Sequence, residues 1–523
     1  MIMSQGMSKL PATEQSGWPF QRHYRLIAVS LAAVVITAAI WFGLPELKVG
    51  ARLAFITFSL ALLGWCFTAI NDTYIALVAA IIPSVIGTGA PNEFFEALGD
   101  SMIWLLFAAF IIAAAVNSSG LSRRLTMAVA TRAHSVNQLF YALNAAIIVT
   151  AFVIPSTSGR AALMLPIFIA LSTTIGDARI TKALALLFPT VILLSAVASL
   201  IGAGAHLVTA DILLHMTGQH IGFWEWMVWG LPFALVSCFL STFLILRLFL
   251  NKEERRKPLQ FSAAQLEKRD DGSDPKAFSR HERTMLMLVV ALVTLWATEP
   301  LHGINNTVVA IVGALLATAP RFGVFSFMEG VKKVEWSLLI FLAATMEIGE
   351  SLTESGGAKW LVDHLFTMLQ GGAASSAWFV VSVVTVVSLL SHLLINSRTA
   401  RSSVLIPMVV LLGLSLGYQP AGLAFISTAA AGFCLTLMVS AKPVSLFGQI
   451  ETPTYTAQDL LRLSAVLLPV HFVLLVAFAF FVWPYLGLEF LPNPAEVHQA
   501  PTWTEGQPSS AQTSAVAVDA HRD

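Results

Sequence analysis

Ser156-Thr157-Ser158-Gly159-Arg160-Ala161-Ala162-Leu163-Met164-Leu165-Pro166 and Ser397-Arg398-Thr399-Ala400-Arg401-Ser402-Ser403-Val404-Leu405-Ile406-Pro407 are two versions of one pattern. At a constant offset of 241 residues, Ser156 falls on Ser397, Ser158 on Thr399, Gly159 on Ala400, Arg160 on Arg401 and Pro166 on Pro407. Each stretch sits between long apolar runs. A polar, arginine-bearing segment is costly inside a bilayer unless it is buried in protein or lines a wet cavity. Two of them, in corresponding places of two halves, imply a site near the membrane midplane of an internally repeated chain.

The composition agrees with a membrane environment. The chain has 523 residues, 56% of them hydrophobic and only 11% charged, with a mean hydropathy of +0.76. A soluble protein with that balance would expose large apolar patches. Net charge is zero, which gives no reason to expect a nucleic-acid partner. Cys66, Cys238 and Cys434 lie far apart in apolar runs and form neither a disulfide framework nor a metal spacing. No Walker A loop, dinucleotide fingerprint or His-Glu-x-x-His is present.

These features predict an all-α polytopic membrane protein with about eleven transmembrane helices and two re-entrant hairpins in two inverted repeats. Residues 1–25 read as a cytoplasmic N-terminus and 26–44 as a leading helix. The first repeat covers 51–250, with a hairpin at 137–176. A charged linker, 251–283, joins it to the second repeat, 284–487, with a hairpin at 375–415. A Pro-, Ser- and Ala-rich tail, 488–523, follows. Lys and Arg concentrate on the side that carries the linker, so the N-terminus is expected in the cytoplasm of a cell inner membrane.

Four cationic side chains remain at membrane depth: Arg160, Arg398, Arg401 and Lys442. No acid lies in either tip. Each uncompensated charge at the bilayer centre costs about 2.5–3.5 kcal/mol on insertion scales. An anionic ligand is the simplest compensation, and a guanidinium fork suits carboxylate, sulfate or sulfonate. Arg160 and Arg401, as symmetry mates, would each hold one anionic group. Internal pairing with Glu347, Glu350, Glu354 or Asp211 is the structural alternative. The hydroxyls of Ser156, Thr157, Ser158, Ser397 and Thr399 could join the anion, and Gly159 would permit the turn. Two further breaks, around Ser199, Gly202 and Gly204 and around Lys442 and Pro443, would free backbone carbonyls. His206 is either a group that titrates near neutrality or a satisfied core histidine.

With these motifs in place, the chain resembles the divalent anion/sodium symporter family of the ion transporter superfamily over about residues 26–487. The resemblance rests on Ser156-Thr157-Ser158 ten residues before Pro166 and Ser397-Arg398-Thr399 ten before Pro407, where the family carries Ser-Asn-Thr. It implies a homodimer moving dicarboxylates, tricarboxylates or sulfate by an elevator mechanism, often with sodium. The departures are specific. Both motif asparagines are replaced, by Thr157 and Arg398, and the family's second threonine by Arg160 and Arg401. Gly202-Ala203-Gly204-Ala205-His206 stands where Gly-Thr-Pro-Pro-Asn is common. A fixed positive charge at such loops implies weakened or lost sodium coupling, with a sodium ion near Ser156, Ser158 and Gly204 left open and no other cofactor expected.

The leading expectation is therefore a secondary transporter, not an enzyme, for a small dianion or polycarboxylate. The rival on the same fold is a cation/proton antiporter or an arsenite-type permease, which would need buried carboxylates at the tips. A membrane receptor without transport would need no matched polar breaks.

Overall fold

The computed structural model describes residues 19–68, 70–86, 93–121, 124, 132–259, 278–361, 364, 376–448 and 454–490. Most of the N-terminal segment, the middle of the 251–283 linker and nearly all of the tail fall outside the described residues. A leading helix, α1 (Pro19–Gly43), precedes two sets of helices. The first set is α2 (Val49–Phe67), α3 (Asp72–Ile86), α4 (Glu93–Leu98), α5 (Ser101–Ser119), α6 (Val136–Val149), α7 (Thr157–Ile175), α8 (Ala178–Ser195), α9 (Gly204–Thr217) and α10 (Phe223–Phe249). The second is α11 (Arg280–Ala297), α12 (Asn306–Ala317), α13 (Phe327–Val331), α14 (Trp336–Glu354), α15 (Ala377–Leu390), α16 (Arg398–Leu416), α17 (Pro420–Ala431), α18 (Lys442–Gly448) and α19 (Ala457–Phe481).

The two sets pack as an exchanged pair. Within the first, α8 contacts α6, α7 and α10; within the second, α17 contacts α15, α16 and α19. Across the halves, α9 lies on α16 and α18 lies on α7. In the outer helices, α3 packs on α14 and α12 packs on α5. Every one of these pairs maps onto another when the halves are swapped, as a pseudo-two-fold axis requires.

Length and hydropathy alone do not count the spans. Seven helices are long and apolar enough to cross a membrane among the described residues, and two of them are α7 and α16. Those two are the returning arms of hairpins: α6 enters, a turn at 150–156 reverses the chain, and α7 leaves on the side of entry. α15 and α16 repeat the arrangement from the other end. Conversely, α8 with α9 and α17 with α18 are spans cut in two. The second cut is wider than the expected one near 440–445: helix α17 stops at Ala431, and Lys442 begins a new helix.

One end of the bundle is marked by the linker. Near it, Asp177 meets Lys257 at 3.2 Å and Arg179 meets Glu254 at 2.9 Å. Burial alone would raise the Asp177 carboxyl, but the amides of Ile180 and Arg179 and the Lys257 ammonium hold it below its ordinary value. Lys182 and Asp459 pair at 3.0 Å at the same end and tie the two halves together.

Close backbone approach shapes the first break. Helix α10 presses Gly230 onto the 196–203 segment, where an added Cβ would lie 2.0 Å from the Val197 carbonyl oxygen. Gly202 is equally tight, 2.1 Å from the Ala196 oxygen. Overpacking at such sites costs about 1–3 kcal/mol or more. Gly230→Ala is therefore expected to lower the thermal unfolding temperature in detergent by several degrees. An unchanged temperature would contradict the described packing.

Candidate functional site

Each hairpin tip ends in a capped helix. Ser156 accepts from the Gly159 amide at 3.2 Å and starts α7; Ser397 accepts from the Ala400 amide at 3.3 Å and starts α16. The repeated Ser-x-x pattern is thus an N-cap in both halves. Both helix N-termini border one cavity of about 490 Å³, where their dipoles favour an anion. Ser156, Thr157 and Ser158 line it from the first tip, and Ser397, Arg398, Thr399 and Arg401 from the second. Gly204, Lys442 and Pro443 complete the floor. The exposed residues Asn71, Glu335 and Trp336 form its mouth, at the linker end of the bundle.

Arg160 is not in this cavity. Its side chain is fully buried and every nitrogen donates: Nε to Thr150 Oγ1 at 3.0 Å, Nη1 to the Ile192 carbonyl at 3.0 Å, and Nη2 to the Ile147 carbonyl at 2.9 Å and Ser195 Oγ at 2.6 Å. The guanidinium therefore ties the first tip to the ends of α6 and α8. A charge that the sequence assigns to an anion is held instead by four neutral oxygens.

Its symmetry mate behaves differently. The second-half counterparts of those four ligands are Ser388, Ser391, Phe433 and Thr436. Ser391 Oγ donates to the Ser388 carbonyl at 2.6 Å, just as Thr150 Oγ1 does to the Ile147 carbonyl, but Thr436 Oγ1 is taken up by His392 Nε2 at 2.8 Å and Ser464 Oγ at 2.7 Å. The position matching His392 in the first half is Ala151, which has no ring nitrogen to occupy the hydroxyl at the Ser195 position. Arg401 is fully buried, reaches only Cys434 Sγ with Nη2 at 2.7 Å, and has no hydrogen-bond partner at Nε or Nη1. Arg398 has none at Nε or Nη1 either; its Nη2 lies 3.3 Å from His206 Nε2. Buried donors without partners are costly, by about 1–3 kcal/mol each and more when charged. Two such guanidiniums beside one cavity create a strong demand for an anion.

Other sequence-predicted residues fall outside the cavity. Ser199 and Gly202 are fully packed in the first break, and Gly159 lies behind the Ser156 cap. Sequence reading missed Asp72 and Cys434, which both line the cavity. Asp72 opens α3 in an Asn71-Asp72-Thr73 break between apolar runs, a polar signal outside the hairpins. Cys434 carries no local signal; only folding brings it to Arg401.

The model of the sodium:sulfate symporter transmembrane region matches residues 24–489. The chain belongs to that family. It is a multi-pass membrane transporter. A membrane protein of Cupriavidus necator is 24% identical over 490 residues, covering 89% of this chain and 93% of that one. The citrate/succinate antiporter of Escherichia coli K12 is 23% identical, covering 74% of this chain and 79% of its own. Among solved structures, the YdaH transporter of Alcanivorax borkumensis aligns over 83% of this chain and 98% of its own, with a TM-score of 0.53 at 14% identity. That likeness concerns the fold alone.

Arg160→Ala should act as a stability variant. It removes four buried hydrogen bonds and empties the space of the guanidinium, so membrane abundance and unfolding temperature fall, while the KM of the surviving protein stays within about threefold. A large rise in KM at wild-type stability would return Arg160 to the substrate.

Proposed function

We propose that this transporter carries a small carboxylate dianion in the cavity between the two tips, with Arg398 and Arg401 as its cationic ligands. The unpartnered donors of these two guanidiniums carry the reading. Lys442, exposed at the start of α18, adds a third positive group, and the tip hydroxyls add donors. The name of the E. coli relative supports carboxylates over sulfate or sulfonate. The linker end faces the cytoplasm by the positive-inside bias, so the cavity opens inward. Family resemblance adds the expectations of a homodimer and an elevator motion.

Sodium fits these loops poorly. Arg160 already takes up the Thr150, Ile147, Ile192 and Ser195 oxygens behind the first tip. At the second tip, Arg398 and Arg401 place positive charge beside the loop. The coupling that follows is exchange. An empty site carries uncompensated cations, which are expensive to move through a low-dielectric barrier, whereas a dianion neutralises them. The rival cation/proton antiporter needs carboxylates facing the tips. Asp72 is the lining acid nearest that role, and it stands beside Ser397 and Lys442.

The test is uptake of radiolabelled succinate, citrate and sulfate into proteoliposomes. Uptake should require an internal dicarboxylate and persist when choline replaces sodium. Sodium-driven accumulation in vesicles without internal anion would reject exchange. Arg398→Ala should cut succinate uptake at least tenfold at unchanged protein level; wild-type uptake by that variant would reject the site.

A further inference from the structure

We infer that His206 is a positioning residue for substrate binding: it accepts from Arg398 Nη2 and thereby aims the guanidinium at the anion. This inference rests on the site proposed above. His206 is fully buried at the start of α9, beyond the cavity wall. Its Nδ1 lies 3.0 Å from the Ser199 carbonyl oxygen, which can only accept, so Nδ1 carries the proton. Its Nε2 lies 3.3 Å from Arg398 Nη2, which can only donate, so Nε2 presents a lone pair. The two partners together fix one neutral tautomer. A second proton on the ring would point at a guanidinium.

The ring has no freedom to turn away. It stacks on Trp226, with centroids 5.0 Å apart and planes 29° apart. Trp226 is itself tied to the first break, donating from Nε1 to the Val197 carbonyl at 3.0 Å, and Phe425 of the second half packs its edge at 5.0 Å. The Ser199 contact anchors the imidazole to the same break. A rigid acceptor from the first half thus meets a flexible donor from the second. Arg398 has several rotatable bonds and two unpartnered nitrogens, Nε and Nη1. Holding Nη2 removes most of that freedom before the anion arrives, which lowers the ordering cost of binding. The first half therefore reaches the substrate through Arg398 as well as through its own tip hydroxyls.

Glutamine and asparagine separate this role from packing. His206→Gln can set its amide oxygen near the Nε2 position and keep an acceptor for Arg398. His206→Asn keeps a donor for Ser199 but falls short of Arg398. Both variants, with wild type and Arg398→Ala, are reconstituted and assayed for succinate counterflow, and each unfolding temperature is measured in detergent. His206→Asn should raise KM about tenfold or more with Vmax within twofold, and His206→Gln should stay within threefold of wild-type KM. Equal KM for wild type and His206→Asn would overturn the inference. So would losses in both variants that track the unfolding temperature, since that pattern marks a merely structural histidine. If Arg398→Ala alone transports normally, the failure belongs to the proposed site rather than to His206.

Discussion

A guanidinium at membrane depth must find acceptors, and most of the interior is arranged around that demand. Hydrocarbon supplies none, and the described part of either hairpin tip supplies no carboxylate. The chain answers in three ways. Arg160 is enclosed by carbonyl and hydroxyl oxygens. Arg398 leans on a neutral imidazole. Arg401 touches a thiol and keeps two nitrogens unmatched. The first arrangement closes a structural unit; the other two leave electrostatic demand facing a cavity. Binding an anion there replaces a desolvation cost with charge-assisted hydrogen bonds.

The pseudo-two-fold fold makes these arrangements possible. Breaking α8 from α9 and α17 from α18 exposes carbonyl groups and helix ends in the middle of the bundle, where a continuous helix would hide them. The exchanged packing of α9 on α16 and α18 on α7 then brings each half's break to the other half's tip. Thus His206, from the first break, can reach Arg398 in the second tip. Neither half builds the cavity alone. The symmetry is not complete: α9 also packs on α14, and no comparable contact of α18 with α5 is seen among the described residues.

Much of this was readable before folding. The polar tips announced themselves because Arg, Ser and Thr interrupt runs long enough to span a bilayer, and their offset of 241 residues disclosed the repeat. Asp72 was not legible, because a lone acid between apolar runs reads equally well as a span end. Cys434 offered nothing, since a cysteine in an apolar run is usually core.

The sequence by itself determined the fold class and the doubled architecture, because hydrophobic length and polar interruption are properties of the chain in order. Only the tertiary structure decided which arginine is free. Arg160 and Arg401 occupy matching positions, but four oxygens reach the first, while the second meets only Cys434 and the hydroxyl matching Ser195, on Thr436, is taken by His392. Whether a charge is satisfied depends on groups within about 3 Å of it, and those groups come from residues tens of positions away.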